Sequence, residues 1–352
     1  MKKRFLSIVV CVLLLALTAC SGSKTTSSTE PKSGKSTKIT FTEPARILSF
    51  APFYLAIEKG FFKEEGIEAN IVSGGGGAQV IAALLSGDAQ FGISAPASMF
   101  KPIESGKDLL AIQSLNSALT YEIALSNKSL STKKVSSDSP LNDRLSALKG
   151  ATIGTDNVGD SGEIYMRYLL KLHGQDPKSF KTVQLTGRGP KISGIKQGIV
   201  DGGINSAPFA LEVQNQKVGN LLLKASEEPA YAKMVWEVVF GNRDYIEKNP
   251  ELAKKVVKAI GQGIKFTREN PEESAKLIQS YFEGTDAAIL EKALIGMNAT
   301  FQGYGEMSQT AWDNAQNPLI EFSEMSKISK KQDTKPDGIW TNKYIEEAFS
   351  KK

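Results

Sequence analysis

The chain has 352 residues, 41% of them hydrophobic and 23% charged, long enough to bury sizeable cores and to divide into about two domains. The formal charge is +5, but the excess sits in Lys2, Lys3, Arg4 and the Ser/Thr/Lys-rich stretch from Ser21 to Lys38, and the body from Ile39 onward is close to neutral. Nucleic-acid binding loses its main electrostatic support.

In chain order, Lys2, Lys3 and Arg4 precede an apolar run, Phe5 to Leu17, too short for a comfortable transmembrane helix. The run ends in Leu17-Thr18-Ala19-Cys20, which resembles a bacterial lipobox. The resemblance implies a signal peptide over residues 1–19, cleavage before Cys20 and a lipid on its thiol. With Cys11 removed and Cys20 lipidated, no thiol remains for a disulfide, a metal site or a nucleophile. Residues 20–38 hold almost nothing apolar and read as a flexible tether to the membrane.

The folded part is expected from Ile39. Ile39–Phe41 reads as a strand, Glu43–Phe50 as a loop, and Pro52–Lys59 as a helix with proline at its first position and Gly60 as its stop. Ile67–Val72 is a strand leading into Ser73–Pro96, SGGGGAQVIAALLSGDAQFGISAP. That stretch reads as a glycine-rich turn, a helix with Val80, Ile81, Leu84 and Leu85 at helical spacing, a stop at Gly87 and a strand, Phe91–Ser94. The β-α-β-α-β order predicts a parallel sheet with right-handed crossovers. Met99–Ser105 is helical, Leu109–Ser114 a strand, and Tyr121–Ser126 an alternating strand expected to make the first crossing between lobes. Asn127–Ser139 reads as loop, Leu141–Leu148 as helix and Gly150–Gly154 as strand. The turn Asn157–Glu163 then opens a helix, with Asp160 and Glu163 placed for a capping box.

Leu185–Pro208, LTGRGPKISGIKQGIVDGGINSAP, echoes the earlier stretch. Each copy has a glycine-rich turn, a helix, a glycine stop, an Asp (Asp88, Asp201), a strand and Ser-Ala-Pro. The echo predicts two lobes built alike, with ligands bound beyond the carboxyl ends of their strands. Val235–Phe240 is β-rich and is expected to return the chain to the first lobe. The remainder is mostly helical, with Asn249-Pro250 and Asn270-Pro271 as helix starts, and is expected to pack on that lobe. The expected division is residues 39–126 and 236–352 for lobe 1, and 127–235 for lobe 2.

The order of lipobox, tether, APFYLAIEKGFFKEEGIEANIV, SGGGGAQVIAALLSGDAQFGIS and LKGATIGTDNVGDSGEIYMRYLLKLHG resembles solute-binding proteins of ABC transporters. The group is the nitrate, sulfonate and taurine type, with thiamine-precursor pyrimidine binders, and the resemblance runs from about Ile39 to Glu273. It implies an α/β, type II periplasmic-binding-protein fold: two α/β lobes joined by two crossover strands around an interlobe cleft. It also implies capture of a small molecule and delivery to an ABC permease and ATPase, by a monomer.

Candidate ligand contacts follow. On lobe 1 these are Phe50, Ala51 and Phe53, the last placed to stack on a flat ligand; Gly76 and Gly77, whose backbone N–H groups at a helix start suit an anion; and Ser94 and Ala95 at a strand end. On lobe 2, Asp160, Ser161, Gly162 and Glu163 open a helix, and the two carboxylates there oppose a fully anionic ligand unless they turn away. Arg188 is the sharpest single candidate, since its guanidinium fork suits carboxylate, sulfonate or phosphate. Asn205 and Ser206 end the echo strand. No catalytic residue, cofactor or metal is assigned. The single histidine, His173, closes a helix, and no Ser-His-Asp set or phosphate-binding loop of the NTPase type is present. An enzyme like the pyrimidine synthases, or a binding protein coupled to a sensor, is the alternative reading.

Overall fold

The computed structural model describes residues 36–350. The expected signal peptide, Cys20 and nearly all of the tether lie outside the described residues. Thr37 and Lys38, expected in the tether, already pair with Ile67 and Glu68, so the fold begins slightly before Ile39. Among the described residues no helix is long and apolar enough to cross a membrane.

Ten strands, numbered in chain order, form two five-stranded sheets. The first contains β1 (Thr37–Glu43), β2 (Ile67–Ser73), β3 (Phe91–Ser94), β4 (Leu109–Asn116) and β10 (Trp236–Asn242), in the order β2-β1-β3-β10-β4. The second contains β5 (Tyr121–Ser126), β6 (Thr152–Thr155), β7 (Lys181–Gln184), β8 (Gly202–Ser206) and β9 (Gly219–Lys224), in the order β7-β6-β8-β5-β9. In each sheet four strands run in one direction, as helical crossovers require. The remaining internal strand, β10 in one and β5 in the other, runs antiparallel to its neighbours.

The echo is thus a structural one. The helices Gly76–Ser86 and Arg188–Gln197 end at Gly87 and Gly198, both left-handed, and lead to the matching central strands β3 and β8. Two expectations change. Tyr121–Ser126 pairs with β8 and β9, so the crossing precedes it, over Ser117–Thr120, and the strand belongs wholly to the second sheet. Asn127–Lys133, read as loop, is helical, because the Ser126 hydroxyl at the strand end caps it by accepting from Ser129 N at 3.1 Å.

The two crossing segments lie side by side. Leu119 N donates to Tyr231 O, and Met234 N to Ser117 O. The core of the first lobe gathers on Phe41, whose ring meets Phe53 at 4.9 Å, Phe62 at 5.2 Å and Phe91 at 5.6 Å. The helix Pro250–Glu269 covers this lobe and packs on the helix Ala51–Glu58. Gly263 permits the close approach, since a Cβ there would stand 2.0 Å from Pro52 O.

The tail does not stay on the first lobe. The helix Gln309–Glu321 packs on both Ala97–Glu104 of the first lobe and Ser161–Leu172 of the second. Tyr165 donates to Ala315 O at 2.6 Å, Trp312 packs edge-on against Phe100, and Lys171 pairs with Glu321. Its buried side, Trp312, Ala315 and Leu319, looks in the sequence like any core-facing stripe, so its target is not legible there.

Phe53 is fully buried within this aromatic cluster. Phe53→Ala should cost about 3–5 kcal/mol of stability, read as a fall in the urea midpoint, and leave ligand affinity unchanged in whatever protein remains folded.

Candidate functional site

Three segments meet at one cavity of about 680 Å³. From the first lobe come Gly77 and Ile81, at the start of Gly76–Ser86, and Ser98 and Lys101 of the helix Ala97–Glu104. From the second come Gly159, Asp160, Ser161 and Ile164. The tail supplies Leu319, Ser326 and Ile328. The walls are largely apolar, and Lys101 and Lys107 are the cations at the lining.

The glycine run has a local reason. Gly74, Gly75 and Gly76 have φ of +115°, +79° and +73°, which side chains resist. Gly77 differs: a Cβ there would stand 2.5 Å from Ser98 Oγ. Gly76 N donates to Pro44 O, and no side chain caps this helix. Ser94 is buried, and its hydroxyl lies 2.8 Å from that of Ser98, so it reaches the cavity through its neighbour. Ala95 is half-buried between them in sequence.

Across the cavity, Asp160 caps the helix Ser161–Leu172. Its Oδ1 accepts from Glu163 N at 2.8 Å, and its Oδ2 from Asp156 N at 2.8 Å and Asn157 N at 3.1 Å. Burial nonetheless holds its carboxyl above the ordinary range. Glu163 turns inward: Oε1 takes Arg167 and Thr182, and Oε2 takes Gly159 N at 2.7 Å. The expected capping box is therefore half present, because Glu163 reaches Gly159 N rather than the amide of Asp160. The expected repulsion of an anion is also reduced, since both carboxylates are spent on neighbours. Gly162 is buried and Ser161 half-buried at the helix start.

Lys191 adds to this neutralisation. Its side chain is fully buried and runs past Gly154 and Gly203 to place Nζ 2.7 Å from Asp156 Oδ1. Burial lowers its pKa, and the charges of Asp156 and Asp160 oppose that shift.

Other expected contacts lie elsewhere. Phe50, Ala51 and Phe53 are fully buried in the first-lobe core and offer no surface to a ligand. Arg188 is 3.4 Å from Glu212, which also accepts from Thr285 Oγ1 at 3.0 Å, and it does not line the cavity. The partner of the glycine turn across the cavity is the turn at Gly159–Ser161, not Arg188. Asn205 is half-buried. Ser206 is buried at the crossing, 3.5 Å from Thr120 Oγ1, which is itself 2.8 Å from Ser49 Oγ. His173 is held by Asn142 and Glu228, at the far end of the helix that starts at Ser161. Among the described residues no group of three His, Cys, Asp or Glu is placed to hold a metal.

Two carboxyls went unnoticed in the sequence. Glu43 ends β1, is buried, and takes a hydrogen bond from Tyr54 at 2.8 Å with Arg46 Nη1 at 2.6 Å. Arg46 in turn lies over the rings of Tyr54 and Tyr281, at 5.4 and 5.1 Å. Glu237, second in β10, is only 3% exposed and has φ of +53°. Its Oε2 has no hydrogen-bond partner. Burial, helped by the charge of Glu43, pushes its carboxyl up to about 8. An unpaired buried acceptor costs about 1–3 kcal/mol, and a left-handed non-glycine residue about the same again.

A family model described as NMT1/THI5 like matches residues 48–274. YtlA of Bacillus subtilis is 22% identical over 285 residues, 80% of this chain and 79% of that one. The 4-amino-5-hydroxymethyl-2-methylpyrimidine phosphate synthase THI5 of Saccharomyces cerevisiae is 25% identical over 225 residues, 59% of this chain and 60% of its own. Among solved structures, the periplasmic nitrate-binding protein NrtA of Synechocystis superposes with TM-score 0.68 at 18% identity, covering 89% of this chain and 88% of that one. The periplasmic aliphatic sulphonate-binding protein SsuA of Escherichia coli gives 0.68 at 18%, covering 88% and 99%.

The Glu237 carboxyl carries a pH signature. The native state holds its proton up to about pH 8, whereas the unfolded chain loses it near the ordinary glutamate value of about 4.3. Its contribution is fully present below the unfolded value and is lost as pH rises through the native one. The melting temperature of Glu237→Gln relative to the parent protein should therefore rise between about pH 5 and pH 8; a difference that stays flat contradicts the assignment.

Proposed function

The chain belongs to the NMT1/THI5-like family and has the two-lobed periplasmic-binding-protein fold, and on that premise we propose that it is the solute-binding component of an ABC importer. It takes up a small molecule between the lobes and hands it to the permease and ATPase. The observation that carries this reading is that helix starts from two different lobes, at Gly77 and Ser161, line a single cavity. Unpaired N–H groups at such starts, with the helix dipoles behind them, favour a negatively charged or strongly accepting group on the ligand. Lys101 and Lys107 add positive charge at the same lining. Ile81, Ile164, Leu319 and Ile328 suit an apolar body. Sulfonates, nitrate, carboxylates and pyrimidine-like compounds form the candidate set, in keeping with what NrtA and SsuA are named for binding.

The lipobox-like Leu17–Cys20 supports anchoring through a lipid on Cys20, at the outer face of the cell membrane or on the periplasmic side, with a monomer working just above it. The match to a yeast pyrimidine phosphate synthase favours a second reading, an enzyme acting on a pyrimidine precursor. Against it, the sole histidine is engaged by Asn142 and Glu228 away from the cavity.

A thermal-shift screen of the candidate set should find a compound that raises the melting temperature in proportion to the logarithm of its excess over Kd. Small-angle scattering with that compound should show compaction as the lobes close. A screen without any stabilising compound, or turnover of a pyrimidine compound, contradicts the transport reading.

A further inference from the structure

We propose that the cleft selects a medium-length alkyl oxyanion: an elongated solute whose straight apolar body lies along the helix Gly76–Ser86 and whose anionic head meets Lys101. The proposal rests on the solute-capture reading of the cleft and names the shape and chemistry of what the cleft takes.

Shape is the first argument. The helices Gly76–Ser86 and Ala97–Glu104 both start beyond the carboxyl ends of parallel strands, β2 and β3, and so run back side by side in the same direction. Their starts touch, since a Cβ on Gly77 would stand 2.5 Å from Ser98 Oγ. The cavity follows both helices outward. Gly77, Ile81 and Leu85 line it from one, on a single stripe, and Ser98, Lys101 and Ser105 from the other and its end. From Gly77 to Leu85 the helix rises about 12 Å. The cavity is therefore a trough between two parallel helices, and its volume of about 680 Å³ suits a larger organic molecule rather than nitrate.

The division of the lining is the second argument. Ile81 and Leu85, with Ile164 from the second lobe and Leu319 and Ile328 from the tail, supply apolar surface, whereas a single stretch, Ser98–Lys107, supplies two hydroxyls and two ammonium groups. Among the described residues neither Lys101 nor Lys107 forms an ion pair. Glu104, one turn from Lys101, is held instead by Ser329 Oγ at 2.6 Å and Lys330 N at 3.0 Å. Asp160, the one carboxylate at the lining, accepts from three backbone amides. The ammonium groups are thus left to an anion from outside the chain.

Exposed apolar surface is the third. Leu85 is 43% exposed inside this lining, and Val158, next to the lining residue Gly159, is 67% exposed. Val80, Ile81 and Leu84 of the same helix are buried. A small anion such as nitrate leaves Leu85 in water, whereas an apolar chain along the trough covers it. An extended chain advances about 3.4 Å for every three bonds, so about ten bonds run the length of the trough.

Isothermal titration with straight-chain sulfonates from ethanesulfonate to dodecanesulfonate, below their micelle concentrations, tests this, with octanol as the uncharged control. Affinity should rise about threefold per methylene up to octane- or decanesulfonate and then stop rising. Octanesulfonate should bind about tenfold more tightly than octanol. Leu85→Ser should weaken octanesulfonate about tenfold and flatten the upper part of the series. Lys101→Gln should weaken every sulfonate by a similar factor and bring octanesulfonate close to octanol. Both side chains are exposed, so neither variant disturbs the core. Short sulfonates bound without any gain from chain length overturn the trough and leave solute capture standing. Affinity that keeps climbing through dodecanesulfonate, or that neither variant alters, marks adhesion to an apolar surface and overturns it as well. If no sulfonate binds, the alkyl oxyanion is overturned, and capture itself falls only if the thermal-shift screen is also empty.

Discussion

Each sheet is completed by a strand that the other half of the chain delivers. β10 enters between β3 and β4 only after the chain has built the whole second sheet, and β5 enters between β8 and β9 directly after the chain leaves the first. Both strands are internal, so neither lobe has a continuous sheet without the crossing. The two crossing segments are also hydrogen-bonded to each other at Leu119–Tyr231 and Met234–Ser117. That constraint fixes where the lobes face and which helix starts confront one another. A long internal strand in a sheet cannot be withdrawn without losing its ladder on both sides, so lobe motion is confined to the short segments between the strands.

The tail adds a second restraint. Gln309–Glu321 touches both lobes through the Tyr165–Ala315 hydrogen bond, the Trp312–Phe100 contact and the pairing of Lys171 with Glu321. Leu319 and Ile328 then form part of the cavity wall. The tail thus touches both lobes and lines the cavity between them. The buried acidic groups near the lobe junction fall into two kinds. Asp160 and Glu163 are consumed by capping bonds, Arg167 and the amide of Gly159, whereas Glu237 is left without a partner on Oε2.

Much of the architecture was legible because its signals are local. Glycines at positive φ mark Gly75, Gly87 and Gly198 as turn and stop points, proline marks the start of Pro250–Glu269, and the echo of Ser73–Pro96 in Leu185–Pro208 exposes the repeated lobe. Gly77, Asp160 and Ser161 could be placed at the cavity for the same reason: they sit in those turns. What failed depends on long-range pairing. Arg188 looked free because Glu212, 24 positions on, is an ordinary helical glutamate until the fold brings the two within 3.4 Å. Phe53 looked available for stacking because nothing local reveals Phe41, Phe62 and Phe91 around it. Glu237 lies in a β-rich run, WEVVF, where a polar residue reads as ordinary alternation, and its left-handed backbone leaves no mark in composition.

The central claim is that one solute is held between helix starts of opposite lobes. Amides in the first turn of a helix lack intrahelical acceptors, so they exchange quickly in the free protein and are slowed only by something that binds them. Hydrogen–deuterium exchange with the tightest-binding compound of the candidate set measures this directly. Slowed exchange at both residues 77–79 and residues 161–162, whose amides have no side-chain or loop acceptor, is the predicted result. Protection confined to one of the two turns, or to neither, would contradict a two-sided cleft.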